Sequence, residues 1–186
     1  MKLAGAITAG GRSKRFGTDK ALFEFEGRSL LRRVADSLDD CEPKLLIAPP
    51  GKYDLGGWRL VDDTRPGEGP LAGLEAALAQ VDDWLAFAGV DLPFVRPELW
   101  NVLARFTLGA DLVVPLDEAG RRQPLSALYH ASLLPRVTAL LDGGERKLNE
   151  LQQAARTVFV PWAHVSHLGP HLFVNLNTPS DLPRAP

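Results

Sequence analysis

The stretch AITAGGRSKRFGTDKAL, residues 6–22, closes a short apolar run with a pair of glycines, a third glycine and four cationic side chains, Arg12, Lys14, Arg15 and Lys20. A glycine-rich loop directly after a strand points to phosphate, because glycine reaches conformations and close approaches that a Cβ forbids. The spacing matches neither the Walker loop, with four residues between Gly and Gly-Lys-Ser/Thr, nor the GxGxxG dinucleotide fingerprint. Gly10 and Gly11 can offer backbone N–H groups to an anion. Arg15 and Lys20 can then bring full charges, the arginine as a fork and the lysine as a point. On composition alone, a solvated surface loop remains the alternative.

Outward from this loop the chain alternates. Residues 3–8 read as a buried strand, 44–48 (KLLIA) as a second and 58–61 as a third. Residues 84–90 (WLAFAGV) are continuously apolar, as a strand covered on both faces is. Helical spacing marks 29–38, with Arg32 and Arg33 outward, then 71–81 and 97–106. The alternation to about residue 115 predicts an α/β fold with a mainly parallel sheet layered by helices. The pattern then changes. Residues 112–115 and 124–129 read as strands around the polar turn DEAGRRQ, an antiparallel excursion in the second half. Helices are expected at 131–141 and 147–155, and strands at 157–160 and 172–174, before the ending NLNTPSDL. There is no repeat, low-complexity tract or linker, so residues 1–186 are expected to form a single domain.

Composition narrows the function. The 186 residues are 45% hydrophobic and carry a formal net charge of -2, which gives no bulk-charge case for nucleic acid or membrane. One cysteine, Cys41, excludes a disulfide framework and a multi-cysteine metal site. No signal peptide is read at the N-terminus, and no run approaches the roughly 20 apolar residues of a membrane span, so a cytoplasmic location is expected. The histidines (His130, His164, His167, His171) lack HExxH-type spacing, and there is no GxSxG. Nothing suggests a covalent nucleophile.

In open parallel sheets, ligands bind outside the carboxyl ends of the strands. That rule selects the loops 9–20, 62–69 and 91–93. Asp91, in GVDLP after the apolar strand, suits magnesium, which takes one or two carboxylates plus phosphate oxygens. The competing role is a cap of the following turn. Asp62 and Asp63 can accept from sugar hydroxyls or the N–H edge of a guanine, or can be solvated turn residues.

Taken together, AGGRSKRFGTDKAL, DDTRPGEGPLAGL, GVDLPF, RRQPLSALYH and NLNTPSDL resemble, in order and spacing, the molybdenum cofactor guanylyltransferase family over about residues 3–182. The resemblance implies a Rossmann-like nucleotidyltransferase fold, with residues 1–115 as nucleotide-binding half and 116–186 as acceptor-binding half. It implies transfer of GMP from GTP to the terminal phosphate of molybdopterin, with pyrophosphate leaving and Mg²⁺ as the cofactor. By motif, Ala9, Gly10 and Gly11 would line GTP and Lys20 would neutralise its phosphates, with Arg15 assisting. Asp63 would contact the guanosine part, and Asp91 both GTP and Mg²⁺. Asn177 would help hold the metal, while Asn175 and Gln123, with Arg122 and Lys147, would serve the acceptor. Other biosynthesis proteins of this cofactor are possible partners. Thr8, Phe16 and Ala48 depart from the family pattern; Ala48 stands where some members have a nucleotide-contacting Asn. Three rival readings share these features in part. They are a cytidylyltransferase for the same cofactor, a nucleotidyltransferase acting on another small phosphate, and a non-catalytic nucleotide sensor. The glycine pair and the Asn-Thr-Pro ending argue against the first, and the joint presence of Lys20 and Asp91 argues against the third.

Overall fold

The computed structural model describes residues 2–9, 19–176 and 178–181. Among them, seven strands form one sheet: β1 (Ala4–Thr8), β4 (Lys44–Ile47), β5 (Arg59–Val61), β6 (Trp84–Gly89), β7 (Leu112–Pro115), β8 (Ser126–His130) and β9 (Thr157–Val160). Their spatial order is β5-β4-β1-β6-β8-β7-β9. All pairs are parallel except those made by β8, which runs antiparallel to both β6 and β7. The excursion expected in the second half is therefore one reversed strand inserted into a parallel sheet.

The helices are α1 (Leu30–Ser37), α2 (Pro70–Leu78), α3 (Pro97–Ala104), α4 (Leu134–Asp142) and α5 (Leu148–Ala154). They cover both faces. One core cluster joins Val34 of α1 and Leu99 and Leu103 of α3 to Ile7, Leu46, Ala86, Val113 and Leu128 of the sheet. The other joins α2, α4 and α5, through Leu74, Val137 and Leu151, to Leu45, Leu85, Phe87, Leu112 and Tyr129. Successive strand residues thus face opposite layers, which is why β6 is apolar at every position and buried throughout. α2 lies very close to β1: a Cβ on Gly73 would stand 2.8 Å from Thr8 Oγ1. Cys41 is a buried core thiol whose pKa burial pushes up to about 12.

Several boundaries differ from the sequence reading. The strand expected at 172–174 does not form; Val174 N donates to His171 O in a turn, and the apolar side chains serve as packing. β8 begins at Ser126, because Pro124 has no N–H for a ladder. Pro135 stands in the first turn of α4, and a 3-10 turn, Ala131–Leu133, precedes it. Arg33 does not point outward: its guanidinium donates to Phe25 O at 2.7 and 3.1 Å and lies over the Phe25 ring. Phe25 belongs to a small hairpin missed in the sequence, β2 (Glu24–Phe25) and β3 (Arg28–Ser29), whose turn holds Glu26 and Gly27 at positive φ. Ser29 then caps α1, its hydroxyl accepting from Arg32 N at 3.2 Å.

Candidate active site

Strand register sets the site. Val61, Ile47, Thr8 and Gly89 pair in a row across β5, β4, β1 and β6. The residues that follow them therefore leave the sheet at one level: Asp62 and Asp63, Ala48, Ala9, and Val90 with Asp91. The three loops therefore start from this edge, Ala9 just past β1, Asp91 just past the neighbouring β6 and Asp63 just past β5, beyond β4. Ala48, in the position of the departing Asn, is wholly buried, and its N–H donates to Val61 O at 3.3 Å.

Asp91 is half-buried and held from the far end of the chain. Asn175 Nδ2 donates to Asp91 Oδ2 at 2.9 Å, and Leu176 N donates to Asp91 O at 2.9 Å. Asp91 Oδ1 accepts no hydrogen bond among the described residues, and it lies where a Cβ on Gly89 would approach to 2.5 Å. Glycine at 89 thus leaves room for the carboxylate. Asn175, expected on the acceptor side, is first a partner of Asp91. An apolar cluster of Phe23, Phe25, Leu30, Val90, Phe94, Val174 and Leu176 braces the segments around Lys20, Asp91 and Asn175.

Lys20 opens a 3-10 turn, Lys20–Leu22, and is buried. Burial pushes its ammonium below the usual lysine value, opposed by the negative charges of Asp91 and Asp181. The preceding Asp19 caps the turn by accepting from Ala21 N at 3.0 Å. Its carboxylate also receives Lys52 Nζ at 2.9 Å and lies 3.0 Å from the Tyr53 hydroxyl. Burial raises the Asp19 pKa, but these bonds prevail and hold it below the usual value. Tyr53 and Lys52 were not singled out in the sequence; a tyrosine just past an apolar strand was the available signal.

Asp63 is half-buried, and its Oδ1 accepts from Arg65 N at 2.9 Å, a turn-capping contact. Arg65 reaches back to Glu75, buried on α2, at 2.9 Å, and to Asp142 of α4 at 2.7 Å. Thr138 Oγ1 donates to Glu75 at 2.7 Å, and Arg146 pairs with Glu68 at 3.2 Å. The loop 62–69 is thereby tied to α2 and to both ends of the α4–α5 connection. None of these tethers was read from the sequence, since each partner is remote.

A cavity of about 760 Å³ adjoins Asp91 through Asn175; Arg122, Gln123, Trp162 and Phe173 also line it. Its polar rim is built on Asp117, whose carboxylate accepts from Ala119 N, Arg121 N, Arg121 Nε and Gln123 Nε2 at 2.7–3.1 Å. Gln123 and Asn175 thus share one cavity, while Lys147 is exposed at the start of α5 and does not line it. Gly10, Gly11, Arg15 and Asn177 lie outside the described residues, as does Phe16. Among the described residues, no helix is long and apolar enough to cross a membrane.

Comparison with known proteins agrees with this architecture. Residues 5–158 match the model of the MobA-like NTP transferase domain. A protein of Deinococcus radiodurans named "Probable molybdenum cofactor guanylyltransferase" is 52% identical over 184 residues, covering 98% of this chain and 93% of that one. A molybdenum cofactor guanylyltransferase of Vibrio parahaemolyticus is 30% identical over 181 residues, covering 95% and 91%. The crystal structure of molybdopterin-guanine dinucleotide biosynthesis protein A from Archaeoglobus fulgidus superposes with a TM-score of 0.80 at 25% identity, over 96% of this chain and 94% of that one. The chain belongs to the molybdenum cofactor guanylyltransferases, within the MobA-like NTP transferases.

Proposed function

We propose that this protein transfers GMP from GTP to the terminal phosphate of molybdopterin, releasing pyrophosphate. The observation that carries the reading is the meeting of Ala9, Lys20 and Asp91 at one sheet edge, with a cavity opening beside Asp91 through Asn175. The loops after β1 and β5 bind GTP: Ala9, Gly10 and Gly11 line it, and Asp63 holds the guanosine part. Residues 1–115 form this nucleotide half, and Gln123, Asn175 and Arg122 in the remainder receive the acceptor.

Mg²⁺ is the inferred cofactor, and the donors fit it. Asp91 presents a hard carboxylate oxygen within electrostatic reach of Lys20, and Asn177 is its proposed companion. Among the described residues there is no group of three or more His, Cys, Asp or Glu that could hold a metal. A cation bound through one carboxylate and substrate oxygens needs no such group. When bound, it supplies charge neutralisation at the phosphates.

The chemistry needs no enzyme nucleophile. A phosphate oxygen of the acceptor attacks the α-phosphorus in line, and the bond to the pyrophosphate oxygen breaks. Lys20 and Arg15 stabilise the negative charge that builds on the leaving group. Asn175 keeps the Asp91 carboxylate oriented through the step. The reading places the protein in the cytoplasm, where other proteins of cofactor assembly would supply molybdopterin. The test is incubation with Mg²⁺ and each of the four NTPs, with and without molybdopterin, measuring pyrophosphate. Release that needs both GTP and molybdopterin is expected; release with GTP regardless of acceptor, or with another NTP instead, would sink the assignment.

A further inference from the structure

We propose that Tyr53 is a positioning residue for nucleotidyl transfer, fixing Lys20 against the end of β1 through Asp19; this rests on the reading that Lys20 meets the GTP phosphates. The Tyr53 ring packs in the core cluster that also holds Ala9, Ala21 and Leu55, where a phenylalanine would bury equally well. What the tyrosine adds is the hydroxyl. It lies 3.1 Å from the carbonyl of Ala9 and 3.0 Å from each carboxylate oxygen of Asp19. One O–H from the segment after β4 is thereby set among three acceptor oxygens of two residues, Ala9 and Asp19, that follow β1.

The two anchors are unequal, which gives the link its direction. Ala9 is fixed to the sheet, its N–H donating to Ile47 O at 3.0 Å. Asp19 caps the short turn that begins with Lys20, through Ala21 N. The hydroxyl therefore ties a rigid point to the base of a long lysine stem. That matters because a four-carbon side chain otherwise samples many rotamers, and a charge-stabilising group must be placed before the reaction begins. Lys52 completes the arrangement, its ammonium on Asp19 Oδ2 at 2.9 Å and 5.0 Å from the centre of the Tyr53 ring. It balances the Asp19 carboxylate, so that Lys20 is left to Asp91, Asp181 and the incoming phosphates.

A residue that acts through Lys20 has nothing further to lose once Lys20 is gone, and this sets the experiment. The full-length Tyr53→Phe, Lys20→Ala and double variants are assayed for kcat/KM with GTP, Mg²⁺ and molybdopterin, and for guanosine binding. Tyr53→Phe should lower kcat/KM by about three- to tenfold, the size of one hydrogen bond, and leave guanosine affinity unchanged. The double variant should match Lys20→Ala to within about twofold, since coupled sites are not additive. Losses that multiply in the double variant overturn the proposal, as does equal loss of guanosine and GTP binding or a silent Tyr53→Phe beside a damaged Lys20→Ala. A silent Lys20→Ala instead overturns the reading of Lys20 itself. Asp19→Ala, which removes the other half of the link, carries the same comparison if Tyr53→Phe does not fold.

Discussion

Asn175 and Asp91, 84 residues apart in sequence, are joined by a 2.9 Å hydrogen bond from amide to carboxylate. The contact engages one carboxylate oxygen, while the other lies over the backbone of Gly89. Asp91→Asn should keep the fold and lower turnover by orders of magnitude, since loss of a metal clamp removes several kcal/mol of charge stabilisation. Asn175→Ala should cost less, about ten- to a hundredfold in kcat, in line with roughly 1.5–3 kcal/mol for a hydrogen bond to a charged group. Steady-state kinetics with circular dichroism on both variants checks this. An unfolded Asp91→Asn would make Asp91 a structural cap instead.

Lys20 predicts an alkaline limb. Burial moves its ammonium below 10.5, so kcat/KM for GTP should fall as pH rises through a value under that figure. Lys20→Arg should remove the limb, because a guanidinium stays charged throughout this range. The stability sign is the reverse. The folded chain gives up this proton before the unfolded chain does, so Lys20 makes unfolding free energy rise with pH between its lowered value and 10.5. A pH profile unchanged in Lys20→Arg would assign the limb to another group.

Base selectivity follows from the donors of guanine, N1–H and the exocyclic amine. A site whose acceptors match both leaves one unpaired with ITP, at a cost of about 1–3 kcal/mol. GTP should therefore be preferred over ITP by about tenfold or more, with CTP poorer still. Pyrophosphate release for the three nucleotides, side by side with molybdopterin, measures it. CTP equal to GTP would reverse the base assignment while leaving the fold untouched.

The close approach of α2 to β1 gives a stability test. A methyl at Gly73 would press on Thr8 Oγ1 at 2.8 Å and on Thr8 Cβ at 3.4 Å. Gly73→Ala should destabilise by about 1–3 kcal/mol, the usual range for overpacking. Thr8→Ala removes the nearer atom, so the double variant should recover much of the loss. Thermal unfolding of the three variants decides, and a Gly73→Ala protein as stable as the parent would show that the helix shifts freely.

Much of this was legible in the chain. A carboxylate one residue past six buried ones, as Asp91 is past Trp84–Gly89, can hardly sit anywhere but a strand end. The parallel half was equally plain, since period and turn residues are local signals. Long-range contacts were not. Nothing local links Asn175 to Asp91, 84 residues away, so their hydrogen bond has no sequence signal. The residues at 172–174 look like a strand but pack into the core and, through Val174, on the cluster around the site; apolar content alone does not separate the two uses. Tyr53 and Asp117 escaped notice because a tyrosine hydroxyl or a loop aspartate acquires its role only from the partners that folding brings to it.

The reversed strand β8 has an architectural consequence. Because β7 ends and β8 begins at the same edge of the sheet, residues 116–125 go out and return there without passing to the other side. A parallel replacement for β8 would need a crossover to re-enter the sheet from the opposite end. The chain instead sends out an excursion rooted at both ends in strands, knotted by Asp117 and carrying Gln123 to the cavity. Such an excursion can be lengthened, shortened or rewritten without disturbing the strand order beneath it. The excursion is therefore free to diverge while the parallel strands β5, β4, β1 and β6 keep their register.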